Sequence, residues 1–331
     1  MTINKQWLIN GQPRGRALSV EDFAYQEASV EPLAEGEVRV AVKTLSFDPS
    51  QKGQMENIGY AAATAVGQVM AASGVGEVVE SKHAKFAVGD SVMGRLGWQE
   101  LATLDGSALE KLPDGVTPSL FLGPLGGTGL TAYFGLFKKG QPRPSDTLVV
   151  SGAAGATGSI VGQLGKLSGC YTIGIAGGGE KCTWLTNEVG YDAAVDYKQD
   201  NVKNQLKEAC PQGVDVFFDN VGGDILNYVL ARIALNARVV LCGGISRYQA
   251  ETLPPGPANY MNLIFQRASM LGFLLTDYVA EFDAARNRLQ AWIESGDIIY
   301  KEDMQHGFEN IPDTLLRLFR GQNFGKQLLT L

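Results

Sequence analysis

The 331-residue chain carries 28 Lys and Arg against 35 Asp and Glu, a formal net charge of −7, with 45% hydrophobic and 19% charged residues. That length suits about two globular domains, and the negative balance argues against nucleic acid or an anionic membrane as partner, because both are held by basic patches. No run approaches the ~20 apolar residues of a membrane-spanning helix, and the opening "MTINKQWLING" turns polar at once, unlike a secretory leader, so a cytoplasmic protein is expected.

Residues 1–125 read as β-rich. In "EGEVRVAVKTLSFDP" (35–49), Val38, Val40 and Val42 alternate with Arg39, Ala41 and Lys43, the period of two of a half-buried strand. "VGQVMAASGVGEVVES" and "FAVGDSVMGRLGWQELATL" continue with short apolar runs broken by Gly and Asp, as in a small barrel or coiled sheet. The only histidine of this stretch, His83, lies in polar "ESKHAKF" and is expected to face solvent.

From 126 to 296 the rhythm changes. Apolar runs at 147–151, 171–176, 193–197, 214–219, 237–242 and 269–275 read as buried strands, with helix-like stretches such as "GSIVGQLGKLSG" and "DILNYVLARIAL" between them. Such alternation implies right-handed βαβ units and a parallel, doubly wound α/β sheet. "VAEFDAARNRLQAWIESG" (279–296) has the spacing of an amphipathic helix ending on Gly296. Residues 297–331 carry one further helix and a closing strand, expected to return to the first domain. Cys170, Cys182, Cys210 and Cys242 stand singly, without CxxC spacing, and read as buried free thiols.

The strand at 147–151 runs into Gly152, Ala153, Ala154, Gly155, Ala156, Thr157 and Gly158. This is the GxGxxG dinucleotide fingerprint with Ala153 at its first glycine. Gly155 would let the backbone approach a pyrophosphate, and Gly158 would let the helix pack closely on the strand. Free amides and the partial positive charge of the helix start would hold the phosphates. At the end of the next strand an NAD-preferring site places Asp or Glu on the ribose 2′-hydroxyl. Here stand Gly177, Gly178 and Gly179, with Glu180 free to turn to solvent and Lys181 placed to neutralise a 2′-phosphate. NADP(H) is the expected cofactor.

At this point the sequence resembles a known family. "GLTAYFGL" (129–136), "SGAAGATGSIVGQLGK" (151–166), "DYK" (196–198), "FFDNVGG" (217–223), "CGGISRY" (242–248) and "GQNFGK" (321–326) are similar to the zinc-independent medium-chain dehydrogenase/reductases. The branch is that of the NADPH-dependent alkenal/enone reductases, and the resemblance spans nearly the whole chain. It implies a Rossmann domain enclosed by a GroES-like catalytic domain at both chain ends, assembled as a homodimer. Carried over motif by motif, Thr131 would hold the nicotinamide carboxamide, and Gly152, Ala154, Gly155, Ala156, Thr157 and Gly158 the pyrophosphate. Gly177, Lys181 and Tyr197 would contact the adenosine phosphate end, with Ser246 and Tyr248 alongside. Asn220 and Asn323 would bond the ribose or phosphates nearer the nicotinamide. Cys242, Gly243, Ile245, Phe273 and Leu275 complete the implied cofactor contacts.

Tetrahedral zinc needs Cys, His and acidic ligands, and residues 1–125 hold no cysteine; no metal site is expected. A nicotinamide cofactor can still reduce an activated C=C bond: hydride adds to the β-carbon of an α,β-unsaturated ketone or aldehyde, donors stabilise the enolate oxygen, and an acid supplies the α-carbon proton. In many relatives a tyrosine stands where this chain has Phe265, and another in "DPYMRGRM" is replaced by Ser50 of "DPSQKGQM". Tyr260 and Tyr60 are the remaining candidates for donor, with water as a further source. Quinone reduction by the same domain pair, or a weakly catalytic NADPH-binding protein, are the competing readings.

Overall fold

The computed structural model describes residues 2–57 and 63–331. The chain divides into two compact units, Met1–Leu122 with Glu302–Leu331, and Gly123–Lys301.

The chain opens with β1 (Ile3–Ile9), β2 (Phe23–Ser29), β3 (Glu37–Ser46), helix α1 (Ser50–Glu56), β4 (Gly74–Ser81), β5 (Ser91–Gly94), β6 (Leu101–Asp105) and β7 (Glu110–Lys111). β1 and β2 pair antiparallel, and β3 is the hub of the larger sheet, antiparallel to both β4 and β6. The alternation along β3 does its expected work: Val38, Val40 and Val42 are buried in a core with Phe47, Trp98 and Leu329. Arg39, on the other face, is also buried, because it ion-pairs with Glu80 across the strands. His83 departs from expectation. It is half-buried, its ring tilted against that of Phe86 with centroids 5.4 Å apart, and it lies where a Cβ on Gly106 would stand.

The second unit contains α2 (Gly127–Phe134), β8 (Thr147–Ser151), α3 (Ala156–Leu167), β9 (Tyr171–Ala176), α4 (Gly179–Trp184), β10 (Ala193–Asp196), α5 (Val202–Ala209), β11 (Val214–Asp219), α6 (Gly223–Leu230), β12 (Ile233–Leu241), α7 (Asn262–Phe265), β13 (Ser269–Gly272) and α8 (Phe282–Glu294). The strands form one sheet in the order β10-β9-β8-β11-β12-β13, parallel at every pairing. This is the Rossmann order 3-2-1-4-5-6, whose strand order reverses between β8 and β11. Leu148, Val149 and Val150 are all fully buried, which a strand covered by helices on both faces requires. Two sequence expectations shift. The helix read into "DILNYVLARIAL" stops at Leu230, and Ile233 to Leu235 already belong to β12. The helix over 279–296 begins at Phe282, after a tighter 3-10 stretch, and Gly296 lies just beyond it with φ of 79°.

The chain then adds β14 (Glu302–His306), α9 (Ile311–Phe319) and β15 (Lys326–Thr330) to the first unit. β15 lies between β14 and β3, parallel to the former and antiparallel to the latter. Lys326 fixes it there: its Nζ reaches Asp48 Oδ1 at 2.5 Å and the Phe47 carbonyl at 3.2 Å. β14 escapes sequence reading because "EDMQH" has no apolar alternation. Among the described residues no helix is long and apolar enough to cross a membrane.

Candidate nucleotide-binding site

The glycine-rich turn leaves β8 at Ser151. Gly152 has φ of 60°, a backbone region that costs other residues strain. The Gly155 amide turns back onto the Gly152 carbonyl (3.0 Å), and the Ala153 amide donates to Ile175 of β9 (3.1 Å). α3 then starts at Ala156, with Gly155 extended as its N-cap. A Cβ on Gly158 would stand 2.4 Å from the Gly152 carbonyl oxygen, so the helix can approach the turn only with glycine there. Behind it, the Tyr191 hydroxyl donates to the Gly158 carbonyl at 2.7 Å, and its ring occupies the space a Gly162 side chain would need. The first-turn amides of Ala156, Thr157 and Gly158 have no helical carbonyl before them to bond. A backbone cradle at the N-terminus of a 12-residue helix, free of bulky side chains, fits a dinucleotide pyrophosphate.

Beside this turn the ends of β8 and β11 are stitched together. Asp219, the last residue of β11, is fully buried and accepts from the Ser151 hydroxyl (2.7 Å), the Val221 amide (3.0 Å) and the Gly222 amide (3.0 and 3.1 Å). The Asn220 amide donates back to Ser151 Oγ (2.8 Å), and Asn220 Nδ2 to the Ser151 carbonyl (2.7 Å). Asn220 therefore clamps the two strand ends with the group expected to reach a ribose. Cys242 and Gly243 lie on the next turn, both amides on the Asp219 carbonyl (2.9 and 3.1 Å). Burial, and then the charge of Asp219, push the Cys242 thiol up to about 12. Ile245 and Ser246 follow, their amides on the Asn220 and Val221 carbonyls (3.4 and 3.2 Å), and the Tyr248 hydroxyl receives the Gly244 amide (3.2 Å). Thr131 is half-buried on α2, which packs on α3. Phe273 meets Phe218 edge-on at 6.5 Å and presses against Gly135, with Leu275 half-buried two residues on.

The end of β9 forms the second part of the site. Tyr197, directly after β10, packs its half-exposed ring so closely on Gly177 that a Cβ there would fall 2.8 Å away. Asp196, which the motif reading passed over, takes the amides of Gly178 (2.8 Å) and Lys198 (3.0 Å). Burial opposes its charge, but these amides outweigh it and hold the carboxyl below its usual range. Asp196 thus stiffens the glycine run from below while no acidic side chain occupies Ala176–Gly179. Lys181 sits half-buried on the short helix α4 beyond.

The structure thus gathers the turn residues 152–158, the 177–181 and 197 group, and Asn220, Cys242, Gly243, Ile245, Ser246 and Tyr248 along the C-terminal edge of one sheet. Asn323 belongs to the other unit, on the loop between α9 and β15, its Nδ2 on the Gly325 carbonyl (3.2 Å). Tyr260 is 58% exposed on the turn before α7, and Phe265, at the end of α7, is 65% exposed. Tyr60 lies outside the described residues. Among the described residues no group of three or more His, Cys, Asp or Glu could hold a metal ion. Sequence reasoning missed Ser151, Asp196 and Asp219; each sat inside a quoted motif, as a polar residue closing an apolar strand.

Residues 5–112 match a model of the N-terminal domain of oxidoreductases, and residues 156–291 one described as zinc-binding dehydrogenase. The NADPH-dependent curcumin reductase of Escherichia coli is 38% identical over 98% of this chain and 96% of that protein. A 2-alkenal reductase (NADP(+)-dependent) from Nicotiana tabacum is 38% identical over 97% and 94%. The crystal structure of CurA in complex with NADPH from Vibrio vulnificus superposes with a TM-score of 0.93 at 38% identity, covering 98% of both chains. Identity of this order over essentially the whole length places the chain in the zinc-independent medium-chain dehydrogenase/reductases, in the branch of the curcumin, prostaglandin and 2-alkenal reductases.

Proposed function

We propose that the protein is an NADPH-dependent oxidoreductase that reduces the C=C bond of small α,β-unsaturated ketones and aldehydes without a metal. The observation that carries the cofactor is the acid-free glycine run after β9 with Lys181 beyond it, room and charge for a 2′-phosphate. The substrate class follows from relatives named as curcumin and 2-alkenal reductases. NADPH, when bound, supplies the hydride for the β-carbon. The chain's own part is to hold the pyrophosphate on the Gly152–Gly158 turn and the α3 amides, to set the 2′-phosphate against Lys181, and to bring Thr131 and Asn220 toward the nicotinamide end. Asn323 is assigned to the same end. Tyr260 or Tyr60 polarises the substrate carbonyl or delivers the α-carbon proton, with water as the alternative.

In this reading the protein works in the cytoplasm, where its four free cysteines stay reduced. It forms a homodimer, an assembly favoured by β13, which among the described residues ends its sheet, and by the exposed Met261, Ile264 and Phe265; a monomer in sedimentation would remove that part. The activity is tested by mixing the protein with NADPH and a panel of enones, enals and quinones while following absorbance of the reduced cofactor. Turnover of enones or enals above the uncatalysed rate is expected, and faster than of quinones. No turnover of any panel member would defeat the proposal.

A further inference from the structure

Asp219 is a buried carboxylate without a counter-charge among the described residues. It is 0% exposed, and its partners are a hydroxyl and two main-chain amides that make four contacts of 2.7–3.1 Å. Among the described residues no Lys or Arg pairs with it; burial raises its carboxyl, and only these donors favour the charge. Removing a carboxylate from water costs free energy that hydrogen bonds offset only in part, so a sheet needing a simple strand-end tie would do better with Ser or Asn. Its place is specific. β8 and β11 flank the reversal of strand order, and nucleotides lie outside the carboxyl ends of strands at that point. The charge also reaches its surroundings, since it helps raise the thiol of Cys242 on the neighbouring turn.

Resting on the NADP(H) reading above, we propose that Asp219 is a positioning residue that fixes the 151–152 and 220–222 turns, and that its unpaired negative charge makes the site favour the oxidised cofactor over the reduced one. The two forms differ by one positive charge on the nicotinamide. A fixed anion in a poorly screened interior favours the positively charged form, whereas a tie that only holds the backbone has no means of telling the two apart.

Full-length wild type, D219N and S151A are titrated with NADPH and with NADP+, following cofactor fluorescence and heat. D219N weakens both, NADP+ more, so that the ratio of the NADP+ to the NADPH dissociation constant rises by about fivefold. S151A, which keeps the charge but loses one donor, weakens both equally and leaves the ratio as in wild type. A folded D219N with an unchanged or lowered ratio overturns the proposal while leaving the cofactor reading intact. Wild type that binds neither nucleotide overturns the cofactor reading and this proposal with it. If D219N does not fold, D219T, whose hydroxyl can still accept from the Gly222 amide, is read by the same criterion.

Discussion

The turn after β8 and the segment 253–265 were both assigned chemistry from sequence, and they are built in opposite ways. At the glycines of the turn, side chains are excluded: a positive φ at Gly152 and a carbonyl 2.4 Å from any Gly158 Cβ leave room only for backbone there, and behind them the Tyr191 ring closes over Gly162 of α3. In the segment, side chains stand in solvent, with Leu253 81% exposed and Tyr260 and Phe265 more than half exposed. A site made of main-chain amides is fixed by the fold that creates it. A site made of side chains on an open surface takes its geometry from whatever later covers them, substrate included.

That contrast can be broken most sharply at the turn. Gly158→Val adds three carbons against the Gly152 carbonyl. Overpacking of this kind costs about 1–3 kcal/mol of stability, and saturable NADPH binding should be lost; thermal melts and cofactor titration measure the two. A variant that binds NADPH like wild type would show the turn is not the cradle. The next effect tests the exposed segment. Tyr260→Phe and Tyr60→Phe are made separately, and the one whose phenol delivers the proton should lose about 10²-fold in kcat while NADPH binding is kept. Two wild-type-like variants would leave water as the source. The smallest effect sharpens the 2′-end: Lys181→Ala should raise KM for NADPH about tenfold, the size of one hydrogen bond to a charged group, and leave KM for NADH nearly unchanged. Equal changes for both cofactors would remove the 2′-phosphate assignment.

Much of this was legible because it is written in apolar runs and glycines. Leu148–Val150 announce a strand buried on both faces, and the spacing of Gly155 and Gly158 announces a helix packed on a turn. What stayed hidden depends on partners distant in sequence. Asp219 and Ser151 are 68 residues apart and make sense only once β8 and β11 lie side by side. The half-buried His83 looked solvated until Gly106 was brought beneath its ring. "ARIAL" carries good helix formers, yet Ile233 and its neighbours are drawn into β12 by pairing with Val214. The exposure of Tyr260 likewise belongs to tertiary packing, which no local pattern encodes.

The insertion of β15 between β3 and β14 has a consequence for biosynthesis. The Rossmann sheet is contiguous in sequence and can close while the ribosome is still translating. The other sheet stays split until residues 326–330 emerge, leaving the Thr44–Ser46 end of β3 without its β15 partner for most of translation. Nascent chains stalled just short of Lys326 should thus be the species most in need of a chaperone.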